Sequence, residues 1–169
     1  CKDVMKLIDD INHPAAKILL DGFHMNIEEP SIKNAIHLAG HKLIHFQVSE
    51  NYRGTPGTGQ TRWNDIFQGL EEINYKGVVS IESFTPDVKE LAGAVCVWKP
   101  LAENQDSFAS DGLKFLRNFS FPSITWNFKF RIDMDHKNKK VAIVGLWFGA
   151  EIIPIYQKYP NANMYAICQ

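Results

Sequence analysis

Three side chains with oxygen ligands follow three short apolar runs: Asp21 after AKILL, Gln47 after LIHF and Glu82 after GVVSI. Continuous apolar runs of this length are typical of strands that are buried on both faces of a parallel sheet. The carboxyl ends of such strands meet at one edge of the sheet, where ligands and metals bind. Two carboxylates at that edge could share a divalent ion, and oxygen ligands favour Mg²⁺ or Mn²⁺.

Each of these groups also has a purely structural interpretation. Asp21 or Glu82 could cap the helix that follows it, or pair with Arg53 in the glycine-rich loop beyond the second strand. His24 follows Asp21 on the same predicted loop, so it could act in the cavity as a donor or proton carrier, or bond a local backbone group. Arg53 could reach back over the cavity or remain solvated. The residue types alone leave these alternatives open.

The elements that must position these side chains alternate between strands and helices. Strands are predicted at 17–20, 42–48 and 78–82. Helices are predicted, after a weak helical pattern within 1–16, at 32–39 (between the cap Ser31 and the closing Gly40), from Trp63 to Ile73, and at 88–99 and 106–117. Gly and Pro residues make 49–62 a loop. This order predicts an α/β fold with a parallel sheet.

The pattern changes after Asn118. Residues 124–134 alternate apolar and polar side chains, as in a half-exposed strand, and then VAIVG, a helical segment and Tyr165–Ile167 predict a second β-α-β opening. We therefore expect three segments, with a linker or translated spacer between two folded parts: 1–118, 119–138 and 139–169.

Composition excludes several classes of function. The net charge of −1 over 169 residues predicts neither a nucleic acid nor an anionic membrane as a partner. No apolar run approaches about 18 residues, so no membrane span is expected. The three cysteines are widely spaced, which favours free thiols in a reducing cytoplasm. The chain starts with Cys1 and ends within a strand-like pattern, so we expect it to be a piece of a longer protein.

Five segments resemble, in order and spacing, sugar isomerase/epimerases of the D-tagatose (D-psicose) 3-epimerase type: DGFHMNIEE, HFQVSENYRGTPGTG, WNDIF, INYKGVVSIESF and VWKPL. The resemblance covers about residues 14–117 and implies the last three βα units of a xylose isomerase-like (β/α)₈ TIM barrel. It also implies that Asp21 and Glu82 are ligands of Mn²⁺, Mg²⁺ or Co²⁺, and that Glu82 is the catalytic acid/base. His24 and Arg53 would hold the sugar's oxygens.

One residue departs from the family pattern. The family has His-x-His in the second strand, whereas this chain has His45-Phe46-Gln47, so an amide stands at the metal-binding histidine. An amide oxygen is a weaker, neutral ligand, and a tenfold loss of affinity corresponds to about 1.4 kcal/mol. The family's other glutamates, a ligand and the second acid/base, lie in an amino-terminal half that this sequence does not contain.

The reaction implied by the resemblance is proton abstraction next to a ketose carbonyl through a cis-enediolate, with a second carboxylate returning the proton on the opposite face. The substrate would be a ketose sugar or a sugar phosphate. With one carboxylate missing, we expect this chain to be inactive by itself, and to act as a homo-oligomer or with a complementing fragment. Hydroxypyruvate isomerases and inosose dehydratases are related alternatives.

The last segment carries its own resemblance. KKVAIVGLWFGAEIIPIYQKYPNANMYAIC resembles the opening of NAD(P)-dependent oxidoreductases of the glucose–fructose oxidoreductase/inositol dehydrogenase (Gfo/Idh/MocA) type, a truncated Rossmann-like start. Gly145 and Gly149 would be its cofactor-binding glycines, but Trp147 stands where the middle glycine lets the pyrophosphate approach the backbone. We therefore do not expect NAD(P) binding in this chain.

Three interpretations of the whole chain follow. The first is an epimerase-like fragment joined to the start of a dehydrogenase by read-through of two neighbouring frames, with Met134 as the second frame's natural start. The rivals are an NAD(P)-dependent oxidoreductase fragment and a non-catalytic fragment that needs a partner. The first is preferred because its motifs are the most specific.

Overall fold

The computed structural model describes residues 1–118 in full, together with the backbone of two strands, 139–144 and 162–168. The chain divides into two compact units, Cys1–Asn127 and Phe128–Gln169, and each is described separately. Within the described part of the chain, no helix has the length and apolar character needed to cross a bilayer.

A three-stranded parallel sheet forms the centre of the first unit. Its strands are β1 (Ile18–Asp21), β2 (Leu43–Val48) and β3 (Val78–Ile81), in the order β1-β2-β3. The predicted strands are confirmed to within one residue at each end. Since all three run in the same direction, their carboxyl ends lie at the same edge of the sheet.

The helices of this unit are α1 (Lys2–Ile11), α2 (Gly22–Glu28), α3 (Ile32–Ala39), α4 (Trp63–Glu72), α5 (Lys89–Ala94) and α6 (Gln105–Asn118). A short 3₁₀ turn, Gly40–Lys42, leads into β2. Helix α3 matches its prediction: the Ser31 hydroxyl accepts a hydrogen bond from the Asn34 backbone N–H, and Gly40 ends the helix with a φ of 49°.

Two helical predictions were wrong. Residues 22–28 were predicted to be loop but form α2, because the Asp21 carboxylate caps the backbone N–H groups of the first turn. The helix predicted over 88–99 ends at Ala94, because Cys96 takes a left-handed φ of 58° and the Val97 N–H turns back to the Ala92 carbonyl.

The hydrophobic core lies between the sheet and the helices α3 and α4. Its largest fully buried side chains include Phe46, Ile36 and Phe67. Gly69 lets these helices approach closely, since a Cβ there would lie 3.1 Å from the Ile36 side chain. On the other face of the sheet Leu19 and Val78 remain exposed, which leaves that face uncovered within the described residues.

In the second unit two parallel strands are described, β4 (Lys139–Val144) and β5 (Ala162–Cys168). They agree with the two strands predicted there. The predicted spacer or strand at 119–138, the helix between β4 and β5, and the glycines Gly145 and Gly149 lie outside the described residues.

Candidate functional site

The strand register brings the predicted site positions side by side. Asp21 pairs with Gln47 across β1 and β2, and Gln47 pairs with Ser80 across β2 and β3. One residue beyond β3, the Glu82 backbone N–H donates to the Val48 carbonyl at 2.9 Å. The three strands therefore end together, with two carboxylates and an amide at neighbouring positions.

Asp21 is a helix cap with one oxygen left over. Its Oδ1 accepts from the backbone N–H groups of Phe23 at 2.8 Å and His24 at 3.2 Å. Its Oδ2 is buried and has no hydrogen-bond partner, in a residue that is only 8 % exposed. A buried carboxylate oxygen without a partner is costly for stability, and such groups are common where a ligand binds.

Glu82 lies in an environment that opposes its ionisation. Burial raises the pKa of Glu82, and the negative charge of Asp21 raises it further. Arg53 lowers the pKa of Glu82, because its positively charged Nη1 lies 3.0 Å from Glu82 Oε2. The two carboxylates are therefore close enough to repel each other, and one cation partly offsets that repulsion.

Arg53 reaches back from its loop over the ends of the strands. Its guanidinium carbon lies 4.0 Å from the centre of the Phe23 ring and 4.9 Å from that of Phe84. The residue is 8 % exposed, its backbone φ is 65°, and its Nε has no hydrogen-bond partner. The geometry answers one open question: the arginine is held at the site and not solvated.

His24 lies differently from what its sequence position suggested, whereas His45 lies in β2 as predicted. His24 is exposed and belongs to helix α2, not to a loop, and its ring meets the edge of Phe23 at 5.2 Å between centroids. His45 Nε2 lies 2.6 Å from the Ser80 hydroxyl oxygen, and burial lowers the pKa of this imidazole. The His45 imidazole therefore uses its Nε2 in a hydrogen bond with Ser80.

The strand ends supply oxygen donors of the kind that a hard divalent ion binds. Among the described residues no group of three His, Cys, Asp or Glu side chains is placed to hold a metal ion. The free Asp21 Oδ2 and the Glu82 carboxylate are suitable oxygen ligands, and the half-buried Gln47 amide lies between their strands.

Glu50 was not among the residues predicted from the sequence, and it is fully buried two residues beyond β2. Its Oε1 accepts from the Gly57 N–H and the Trp63 indole N–H, both at 2.8 Å, and its Oε2 accepts from the N–H groups of Thr61 at 3.1 Å and Asn51 at 3.3 Å. Burial raises the pKa of Glu50, but these hydrogen bonds outweigh it and the net pKa is lowered. A carboxylate at the start of a glycine-rich loop, whose backbone N–H groups need acceptors, was the available signal.

A family model described as a xylose isomerase-like TIM barrel matches residues 1–119. A probable ketose 3-epimerase of Synechocystis sp. is 40 % identical over 113 residues, which are 67 % of this chain and 39 % of that protein. An L-ribulose 3-epimerase of Methylomonas sp. is 33 % identical over 115 residues, 67 % of this chain and 40 % of that protein.

Solved structures give the same result. A D-allulose 3-epimerase from Methylomonas sp. in complex with D-allulose superposes with a TM-score of 0.64 at 33 % identity, covering 68 % of this chain and 40 % of that one. A D-psicose 3-epimerase in the presence of D-fructose superposes with a TM-score of 0.62 at 33 % identity, covering 69 % and 41 %. The chain thus spans about two fifths of the length of these relatives.

Proposed function

Because the chain belongs to the xylose isomerase-like TIM barrel family, we propose that it supplies the carboxyl-terminal part of a ketose 3-epimerase active site. The observation that carries this proposal is a pair of interacting carboxylates at the strand ends: Asp21 has a buried, unpartnered oxygen, and the pKa of Glu82 is raised by burial and by Asp21. Such a pair is unfavourable unless a ligand uses it.

In this proposal the site residues have distinct roles. Asp21, Glu82 and the Gln47 amide oxygen would hold a divalent ion, Mn²⁺, Mg²⁺ or Co²⁺, which when bound would stabilise negative charge on the sugar's oxygens. Glu82 Oε would take the proton from the carbon next to the ketose carbonyl on one face of the sugar, and a second carboxylate, supplied from outside this chain, would deliver a proton to the opposite face. A raised pKa suits this role, because a general acid/base works best when its pKa approaches the operating pH.

Arg53 and His24 would bind and orient the sugar. The Arg53 guanidinium is fixed between two aromatic rings and bonded to Glu82, so it can present its remaining N–H groups at one place. The exposed His24 ring stands on the first turn of α2, beside the Asp21 cap. The substrate class is a ketose or a ketose phosphate, and the relatives' names mention L-ribulose and D-psicose.

The proposal requires the remaining βα units of a barrel. Epimerisation needs a second acid/base carboxylate on the opposite face of the sugar, and the three strands of the first unit form only part of a barrel. The uncovered sheet face with Leu19 and Val78 is where complementing units would pack. We therefore propose a complementing fragment as the partner, and expect the isolated chain to be inactive.

The test is reconstitution. We would co-express residues 1–118 with the first five βα units of a ketose 3-epimerase relative and measure conversion of D-fructose to D-psicose by chromatography. Activity that disappears with Glu82→Gln in this chain would support the proposal. A soluble, assembled complex with unchanged activity in that variant would overturn it, because another residue would then move the proton.

For the second unit we propose the opening β-α-β of a dinucleotide-binding fold, with 119–138 as the linker. The parallel pairing of β4 with β5 supports this proposal, since a parallel pair needs a crossover between its strands. Gly145 and Gly149 would form the turn after β4, and Trp147 between them would obstruct the pyrophosphate. We expect no quenching of NADH fluorescence by this chain, whereas Trp147→Gly gaining it would identify the turn.

A further inference from the structure

We infer that Glu50 is a positioning residue that holds Arg53 over the strand ends. Arg53 belongs to the loop 49–62, which is otherwise without regular structure apart from turns. A long arginine on such a loop would ordinarily sample many orientations, yet this one is buried between Phe23 and Phe84. Its role toward a sugar rests on the proposed function, but its placement by Glu50 is a property of the loop itself.

The backbone of Glu50 closes the turn that carries Arg53. The Glu50 N–H donates to the Gly54 carbonyl at 2.9 Å, and the Arg53 N–H donates to the Glu50 carbonyl at 2.8 Å. This tight closure forces Arg53 into the left-handed region, with a φ of 65°. Both backbone groups of Glu50 thus close the turn 50–54, and Arg53 is the fourth residue of that turn.

The Glu50 side chain fixes the base of that turn to the rest of the unit. Its carboxylate binds the returning part of the loop through the N–H groups of Gly57 and Thr61, and the start of α4 through the Trp63 indole. Hydrogen bonds to a buried carboxylate are stronger than those between neutral groups. The Glu50 carboxylate therefore links the turn that carries Arg53 to the later part of the loop and to the start of helix α4.

The loop passes close beside the Glu50 carboxylate at Gly59. A Cβ built at Gly59 would lie 2.6 Å from Glu50 Oε2 and 2.6 Å from Asn51 Oδ1. Gly59 is therefore needed where the loop passes beside Glu50. A side chain added at Gly59 must displace the Glu50 carboxylate or the loop. A substitution there is therefore a second way to disturb the hydrogen bonds of Glu50 without changing the charge of Glu50.

The first experiment measures how fast p-hydroxyphenylglyoxal modifies individual arginines, by peptide mass spectrometry, in wild type and Glu50→Gln. The glutamine side chain has the same shape as glutamate, but an NH₂ group replaces one carboxylate oxygen. That NH₂ group would point at two of the N–H groups that now donate to Glu50. We expect Arg53 modification to accelerate at least about tenfold, since loss of charge-assisted bonds to one buried group exceeds one factor of ten. Arg62, bonded to the carbonyls of Glu29 and Pro30, should keep its rate.

The matched control for Glu50→Gln is Glu72→Gln, the same change at an exposed carboxylate. Two glycine variants give a second test and its control. Gly59→Ala should also accelerate Arg53, whereas Gly93→Ala, which meets nothing within 4 Å, should not. An unchanged Arg53 rate in both Glu50→Gln and Gly59→Ala overturns the inference. Equal acceleration of Arg53 and Arg62 with loss of helical circular dichroism also overturns it, because Glu50 would then hold the whole unit. If Glu50→Gln does not fold, Gly59→Ala decides.

A kinetic readout separates positioning from a general structural role. In the reconstituted barrel, Glu50→Gln should raise KM for D-psicose, and should raise it no further when Arg53 is already alanine. An equal effect in both backgrounds would overturn the coupling between the two residues. Because arginine modification needs no activity, an inactive barrel together with a faster Arg53 in Glu50→Gln would contradict the proposed function and leave the positioning role supported.

Discussion

Glu50 and Glu82 are two carboxylates at the same end of the sheet, and their environments have opposite effects on ionisation. Glu50 is fully buried and receives hydrogen bonds at both oxygens, so its pKa is lowered. Burial raises the pKa of Glu82, the charge of Asp21 raises it further, and the ion pair with Arg53 opposes these two effects only in part. The first environment stabilises the charged form of the carboxylate, and the second opposes it.

The difference shows how to distinguish a structural carboxylate from one available for chemistry. Sequence position does not distinguish them, because both follow a strand of the same sheet. Burial does not either, since Glu50 is the more buried of the two side chains and yet its pKa is lowered. The decisive quantity is whether the surrounding donors match the acceptor oxygens. At Asp21 they do not, since its buried Oδ2 has no donor, and a ligand can complete the set.

The largest expected effect is on stability at Glu50. Glu50→Gln should lower the free energy of unfolding by about 3 kcal/mol, because the amide nitrogen would oppose buried N–H donors. Glu82→Gln should change it by less than about 1 kcal/mol, since one ion pair is lost while repulsion from Asp21 is relieved. Urea denaturation followed by tryptophan fluorescence measures both. Similar losses in the two variants would contradict the distinction.

The same comparison predicts a pH dependence. The folded pKa of Glu50 is lowered, so its contribution is complete above the pKa of the unfolded chain and is lost as pH falls through the folded value. The stability difference between wild type and Glu50→Gln should therefore be largest near neutral pH and shrink below about pH 4, where the carboxyl in the unfolded chain is protonated. Urea midpoints at several pH values test this, and a constant difference would contradict it.

Position 47 should control metal affinity. Gln47→His restores an imidazole between the strands of Asp21 and Glu82, and we expect Mn²⁺ affinity to rise by more than tenfold, about 1.4 kcal/mol. Calorimetry on the two proteins measures the change. His45→Gln is the matched control, because His45 is bonded to Ser80 and should not contribute. Equal affinity for wild type and Gln47→His would show that position 47 does not bind the ion.

Removing the charge of Asp21 should change the titration of Glu82. In Asp21→Asn the pKa of Glu82 should fall, since the charge of Asp21 contributes to its rise. Stability should change by less than about 0.5 kcal/mol, because asparagine caps helices as well as aspartate does. NMR titration of the Glu82 side-chain carboxyl carbon measures the first effect. An unchanged titration would mean that burial alone raises this pKa.

Much of the first unit could be predicted from the sequence because its signals are local. Apolar runs gave the strands, and Ser31 and Gly40 gave both ends of α3. The family motifs predicted the partial α/β barrel, which the family match and the superpositions confirm. Helix α2 was missed because it has only seven residues and is held by the Asp21 cap, which was one of the two interpretations left open for that residue.

The environment of Glu50 could not be predicted in the same way. Its partners Gly57, Thr61 and Trp63 are separated from it by up to thirteen residues of loop, and no periodic pattern connects them. The fold of the loop determines which N–H groups point at the carboxylate. Likewise, the sequence places Asp21 and Glu82 at strand ends, but only the packing shows that one Asp21 oxygen is left without a partner.

The smallest expected effect separates a lowered pKa from a contribution to stability. The pKa of Glu72 is lowered, first through its hydrogen bond with Lys33 and also through His37, yet its side chain is 45 % exposed. Water and salt weaken such pairs, and ordering the long side chains opposes them. Glu72→Gln should therefore leave the urea midpoint unchanged within error. A clear loss would mean that ion pairing and not the burial of matched donors distinguishes Glu50 from Glu82.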